Sequence, residues 1–151
     1  MQGSTGFTVI GISVRTTNEN DQMAIDIPAI WGRFLEEKIS ERIPGKIDAR
    51  IYCVYTDYEK DHTRPYTAIL GCRVSGADQL PDGLVRKTIP AGVYIKQTAR
   101  GNPLSGSVLN EWQKIWASDF ARNFVADFEV YDERSQQGDQ AEVDIFVGID
   151  Q

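Results

Sequence analysis

The sequence has little of what metal sites and covalent catalysis most often use. Its 151 residues include one histidine, His62, and two cysteines, Cys53 and Cys72, whose spacing matches no zinc motif. The composition therefore argues against a histidine-based metal centre and against a Ser-His-Asp triad, and we expect no cofactor. Thiols of this kind in a cytosolic chain are usually reduced and buried as small apolar groups.

Long apolar segments and clustered positive charge are lacking too. No apolar run approaches the roughly 20 residues that span a bilayer, and residues 1–6 lack the basic and apolar regions of a secretory signal. We therefore expect a cytoplasmic protein with no membrane partner. The net charge of −6 opposes nonspecific binding to nucleic acid, and it mildly favours cationic small molecules.

Apolar periodicity predicts the same order of elements twice within a single domain of residues 1–151. The first copy has strands at 7–16, 50–55 and 66–74 and a helix at 26–39; the second has strands at 92–99, 124–131 and 142–149 and a helix at 104–117. The expected class is α+β. Two β-α-β-β units, at about residues 5–75 and 88–151, would pair into one curved antiparallel sheet with two main helices on one face. A central pocket would remain between the helices, and the aperiodic residues 75–87 would join the halves.

The stretch 127–131 (DFEVY) carries the most informative side chain, Glu129. Side chains alternate along a strand, so Glu129 and Tyr131 share one face while Phe128 and Val130 share the other. A glutamate between apolar neighbours either lies on a solvated face or lies in a cavity and awaits a cationic partner. Because residues 53–55 (CVY) match residues 129–131 (EVY), Cys53 and Glu129 would be symmetry-related near the pocket floor.

Four segments of the chain together resemble a known family. They are residues 52–58 (YCVYTDY), residues 89–94 (IPAGVY), Trp112 in the second helix, and residues 128–131 (FEVY) ahead of the last strand. In order and spacing they resemble the GyrI-like small-molecule-binding domains, which also form the effector-binding half of multidrug-responsive bacterial transcription activators. The resemblance covers nearly the whole chain.

The resemblance implies a central pocket for hydrophobic, often cationic compounds. Glu129 occupies the position of the family's usual charge partner, and aromatic side chains form the walls, here Trp31 or Phe34, Trp112 and Phe146. The transcription factors carry a DNA-binding domain ahead of this unit. Here the first strand starts by residue 7, so we expect a stand-alone member that does not bind nucleic acid directly.

The leading interpretation is a non-catalytic protein that binds hydrophobic, cationic aromatic molecules. The residues expected to contact the ligand are Glu129, Trp31, Phe34, Cys53, Trp112, Tyr131 and Phe146. The hydroxyl of Tyr131 is expected to orient Glu129, whereas Trp116 is assigned to the core.

Two other functions stay open at this point. GyrI-like proteins also resemble hydrolases of strained or electrophilic compounds, in which Glu129 would act as general base and Tyr131 as donor. The gyrase-inhibitor resemblance suggests instead a protein-interaction module.

The strand face opposite Glu129 is expected to be apolar. Its members would be Phe128, Val130, Val143, Ile145, Val147 and Ile149. If the helices pack on the side of Glu129, these residues need other cover, and a homodimer across the back of the sheet is one solution. If they face the helices instead, Glu129 would lie outside and the pocket would not form around it.

Overall fold

A computed structural model describes residues 2–76 and 79–150. Its strands are β1 (Gln2–Ser4), β2 (Phe7–Thr16), β3 (Ile51–Thr56), β4 (Tyr66–Val74), β5 (Val85–Ile89), β6 (Gly92–Arg100), β7 (Arg122–Tyr131) and β8 (Glu142–Ile149), and its helices are α1 (Met23–Glu36), α2 (Ile39–Arg42) and α3 (Ser107–Trp116). Within the described residues the strands form one antiparallel sheet in the order β1-β6-β8-β7-β3-β4-β2-β5. The predicted α+β fold of two β-α-β-β units is confirmed.

The sheet order is symmetric about the β3–β7 pair. Exchanging the two halves, β2-α1-β3-β4 and β6-α3-β7-β8, reproduces the order from the other end. The outermost strands are exchanged between halves, since β1 pairs with β6 and β5 pairs with β2. Part of the expected joint at 75–87 is therefore strand β5, while residues 77 and 78 lie outside the described part of the chain.

The first helix differs at both ends from the predicted span 26–39. It begins at Met23, so Pro28 and the expected cap Asp26 lie inside it, and it ends at Glu36. Lys38 adopts a left-handed conformation with φ of 51°, which stops the helix before the short α2 begins. No helix among the described residues has the length and apolar character needed to cross a bilayer.

The helices pack on the sheet face that carries Glu129. Ile30 and Phe34 of α1 are buried in one cluster on this face. Trp112 and Ile115 of α3 are buried in a second cluster on the same face, together with the β8 side chains Val143, Ile145 and Val147.

The predicted placement of those β8 residues opposite Glu129 is wrong. Ile145 is the cross-strand partner of Glu129, and directly opposed residues project to the same side of a sheet. Glu129 and the odd-numbered apolar residues of β8 therefore all lie under the helices. The two placements considered from the sequence, with either Glu129 or the β8 residues facing the helices, are not alternatives.

The sheet curls toward its back face, so that side chains from distant strands pack around Phe128. Phe7 on β2 lies three strands away from β7, which would place it about 14 Å from Phe128 in a flat sheet, yet their ring centroids are 5.0 Å apart. Tyr94 and Phe146 approach the same ring at 5.2 and 4.8 Å. Phe128 and Val130 are each 7% exposed within the single chain, so their burial does not require a dimer; the homodimer stays a prediction.

Truncating the ring at the centre of this cluster should destabilise the fold. We expect Phe128→Ala to lower the free energy of unfolding by about 3–5 kcal/mol, because it removes a buried ring and leaves a cavity. Urea denaturation measures the change. Val125→Ala, at a position on the same strand that is 47% exposed, is the matched control and should cost under about 1 kcal/mol. A loss for Phe128→Ala as small as that of the control would contradict the closed aromatic cluster.

Candidate functional site

A cavity of about 1390 Å³ opens between α1 and α3 over the centre of the sheet. Its volume exceeds the range of roughly 300–1,000 Å³ usual for small-molecule sites. Most of its rings come from the two helices, from β3 and β7, and from the loop after β3. These rings are Trp31, Tyr55, Tyr58, His62, Tyr66, Trp112, Trp116 and Tyr131. The cavity is therefore an aromatic cage at the pseudo-twofold axis.

Glu129 lies at the floor of this cage and is 1% exposed. One carboxylate oxygen accepts hydrogen bonds from the Tyr55 hydroxyl at 2.8 Å and from the Trp112 indole N–H at 2.6 Å. The other oxygen accepts from the Tyr131 hydroxyl at 2.5 Å. Strands β3 and β7 and helix α3 each supply one donor, so both halves of the fold hold this one carboxylate.

The three donors are neutral, so they satisfy the carboxylate without cancelling its charge. None of the ion pairs found among the described residues includes Glu129. Burial raises the pKa of Glu129 above its ordinary value, and the three hydrogen bonds oppose part of that shift. The site therefore presents a desolvated acid that a positive charge would stabilise.

The two tyrosines that donate to Glu129, Tyr55 and Tyr131, are held in the protonated form. Burial raises the pKa of Tyr55 and of Tyr131 well above the ordinary value, and the neighbouring Glu129 adds to the shift in each case. A phenolate beside the carboxylate would place two like charges in a dry site. Tyr55 and Tyr131 therefore remain hydrogen-bond donors across the physiological pH range.

Arg122 is a buried cation near the cavity, but its charge is already matched. Its guanidinium lies 2.8 Å from the Asp127 carboxylate, with side-chain exposures of 5% and 0%. Asp127 also accepts from the Tyr58 hydroxyl and from the Gly148 backbone N–H. This ion pair leaves the charge of Glu129 uncompensated.

His62, the single histidine, does not supply the missing charge either. Its ring stacks on Trp116, with centroids 5.7 Å apart and planes 6° apart. Burial and the nearby Arg122 lower the pKa of His62, so the imidazole is neutral near pH 7. In the described part of the chain no group of three or more His, Cys, Asp or Glu side chains is arranged to hold a metal ion.

The structure brings four of the predicted ligand residues together. Glu129, Trp31, Trp112 and Tyr131 all line the cavity, and Trp31 meets Tyr131 edge to face with centroids 4.8 Å apart. Their predicted contact with a ligand stays a prediction.

The other three predicted residues lie outside the lining of the cavity. Phe34 and Cys53 are 1% and 0% exposed and belong to the core beneath α1. Phe146 lies on the back face, where its ring stacks on Phe128. Its predicted place in the wall is wrong because it is the cross-strand partner of Phe128 and not of Glu129.

Several lining residues were not predicted from the sequence. Trp116, assigned to the core, lines the cavity against His62. Tyr55 donates to Glu129 from the first half, at the position equivalent to Tyr131 in the second. The match between residues 53–55 and 129–131 was the signal that could have identified it.

Comparisons with known proteins agree with this architecture. The family model described as "Cass2: Integron-associated effector binding protein" matches residues 4–149. Over 143 residues the chain is 32% identical to the YobU protein of Bacillus subtilis (strain 168), whose name describes it provisionally as a transcriptional regulator. That match covers 92% of this chain and 89% of the relative.

Two solved structures share the fold along almost the whole chain. An integron cassette protein from the mobile metagenome of Vibrio cholerae is 26% identical with a TM-score of 0.76, covering 99% of this chain and 94% of that one. The protein SAV2435, solved bound to tetraphenylphosphonium, is 15% identical with a TM-score of 0.81, covering 99% and 92%.

The resemblance to GyrI-like small-molecule-binding domains is confirmed by these matches. The family model spans nearly every residue of the sheet and both main helices. The chain belongs to the Cass2 family of integron-associated effector-binding proteins.

Proposed function

We propose that this effector-binding protein takes up hydrophobic, cationic aromatic molecules in the cavity between α1 and α3, with Glu129 as counter-charge. The observation that carries the proposal is a buried carboxylate with three neutral donors and no ionic partner among the described residues. Burying such a charge unpaired costs several kcal/mol, roughly. A bound cation would recover part of that cost.

The walls favour a cation that is also apolar. A positive charge over an aromatic face gains about 0.5–2 kcal/mol, more as the site is desolvated, and Trp31 and Trp112 both border the space above Glu129. At the mouth, Leu35 and Leu104 are 64% and 96% exposed. They give a hydrophobic ligand further apolar area to cover.

The hydrogen bonds to Glu129 favour its role as a counter-charge for a bound cation over a role as a general base in catalysis. A carboxylate has about four lone-pair positions, and Tyr55, Trp112 and Tyr131 occupy three of them. A base must accept a proton from water within hydrogen-bond reach, and little of the acceptor capacity remains for this. The bound compound should therefore be recovered chemically intact.

Neutralising Glu129 should weaken the binding of a permanent cation. Tetraphenylphosphonium is a suitable probe, because the structurally similar SAV2435 was solved with it and its charge does not titrate. We expect Glu129→Gln to bind it about 30-fold more weakly, or worse, as a loss of roughly 2 kcal/mol or more is typical when one partner of a buried charge pair is removed. Isothermal titration calorimetry measures the change.

Two controls distinguish the effect of the Glu129 charge from the effects of the protein's net charge and of the ligand's shape. Glu36→Gln removes an equal charge from an exposed position on α1 that does not line the cavity, and it should leave the affinity unchanged. Tetraphenylborate, an anion of the same shape, should bind the wild type poorly and Glu129→Gln better. Equal affinities of the two Gln variants for tetraphenylphosphonium would contradict the role of Glu129.

The affinity for tetraphenylphosphonium should also depend on pH. Burial raises the pKa of Glu129, so below that raised pKa the free protein holds a proton that the cation must displace. Affinity should fall as the pH decreases through the raised pKa, by at most about tenfold per pH unit for one proton. It should level off above that pKa. The profile of Glu129→Gln should be flat over the same range; a wild-type profile equally flat between pH 4 and 8 would refute the linkage.

A further inference from the structure

The back face of the sheet carries a second cavity, of about 460 Å³. Its floor is the aromatic cluster around Phe128, with Phe7, Tyr52 and Phe146 beside it. Strand β1 and the segment after it form one rim. Since Phe128 and Glu129 are consecutive on β7, this cavity lies on the opposite side of the sheet from the aromatic cage.

The acidic side chains of this cavity are already compensated. Arg134 pairs with Asp132 at 3.0 Å and with Asp144 at 2.5 Å. Lys96 lies 3.7 Å from the same Asp144. These side chains form a local network that leaves no excess negative charge facing the cavity.

Two further guanidinium groups at this cavity have no such partner. Arg73 lies over the ring of Phe7, 5.1 Å from its centroid, and neither Arg73 nor Arg50 takes part in an ion pair found among the described residues. Arg50 hydrogen-bonds to the side chain of Tyr52, while Asp48 and Asp132 attract it only from a distance. In a chain of net charge −6, this is a local excess of positive charge above an aromatic floor in which Phe146 is the partly exposed ring.

We propose that the back cavity is a second ligand site, which binds small aromatic carboxylates. A guanidinium offers a planar pair of donors that matches a carboxylate, and Arg73 is held in place by its contact with Phe7. The ring of the ligand would pack against Phe146, the partly exposed ring of the aromatic floor, where offset and edge-to-face contacts are favourable. The volume lies within the range of small-molecule sites. An inorganic anion would satisfy the arginines but make no contact with the rings of the floor.

Arg73 is the residue on which to test this. It borders only the back cavity, whereas Arg50 and Asp132 border both cavities. Salicylate and 2-naphthoate are suitable probes, titrated into the full chain while backbone amide shifts are followed by two-dimensional NMR. We expect saturable shifts at β1, β6 and the start of β2, and tighter binding of the larger ring.

The expected loss in Arg73→Gln is about tenfold or more in affinity, as for a hydrogen bond to a charged group. Arg73→Lys keeps the charge but not the planar fork, and it should also bind more weakly. Arg33→Gln, an equal loss of charge at an exposed position on α1, should bind the probes like the wild type. Saturating tetraphenylphosphonium should not displace salicylate, since the two cavities lie on opposite faces of the sheet and share only Arg50 and Asp132 at their borders.

Several results would overturn the proposal. These are the absence of saturable binding to the wild type at millimolar probe, unchanged affinity in both Arg73 variants, and displacement of salicylate by tetraphenylphosphonium. Inorganic phosphate binding as tightly as 2-naphthoate would show that the aromatic floor contributes nothing, and this too would refute the assigned ligand class. The wild-type shift map decides the location of the probe even if a variant fails to fold.

Discussion

The buried charge of Glu129 is the interaction on which the rest of the site depends. A carboxylate that is 1% exposed keeps its charge only if the surrounding protein supplies hydrogen bonds in place of water. Here two phenols and an indole supply them from three different elements. The same groups are aromatic, so the arrangement that holds the anion also builds walls suited to an apolar cation.

The duplicated fold explains why this carboxylate lies at the centre. Strands β3 and β7 pair across the pseudo-twofold axis, and Cys53 directly opposes Glu129 in their register. One half therefore contributes a small thiol and the other a carboxylate at equivalent positions. Cys53 is buried in the core beneath α1, whereas Tyr55 and Tyr131, also equivalent, both donate to Glu129. The backbone of the site is thus pseudo-symmetric, whereas only one of the two equivalent central side chains carries a charge.

Much of the fold could be predicted from the sequence, but the side of β8 that faces the helices could not. Alternation shows which residues of a strand share a face, whereas the register with a neighbouring strand decides which way that face points. The family resemblance put Phe146 in the wall, and alternation within β8 could not exclude that placement. The pairing of Ile145 with Glu129 turns Val143, Ile145 and Val147 toward the helices instead, where they are fully buried in the core beneath α3.

The edge strands and some lining residues were missed for other reasons. β1 has three residues and β5 has five, and strands so short give little periodic signal. Trp116 was assigned to the core because aromatic residues at helical spacing usually pack on a sheet. His62 came from a polar loop, and only the tertiary fold brings it onto Trp116. Glu129 itself was predicted to point inward from the internal repeat and the family resemblance together, since neither its residue type nor its neighbours distinguish it from a solvated glutamate.

The most direct test of the account is the pKa of the Glu129 carboxyl, followed by NMR of its side-chain carbon in the free protein and with saturating tetraphenylphosphonium. The account predicts a pKa above the ordinary glutamate value in the free protein, and a clear decrease when the cation binds beside the carboxylate. A carboxyl that titrates at the same pH in the free and the saturated protein would contradict the claim that this acid is the counter-charge.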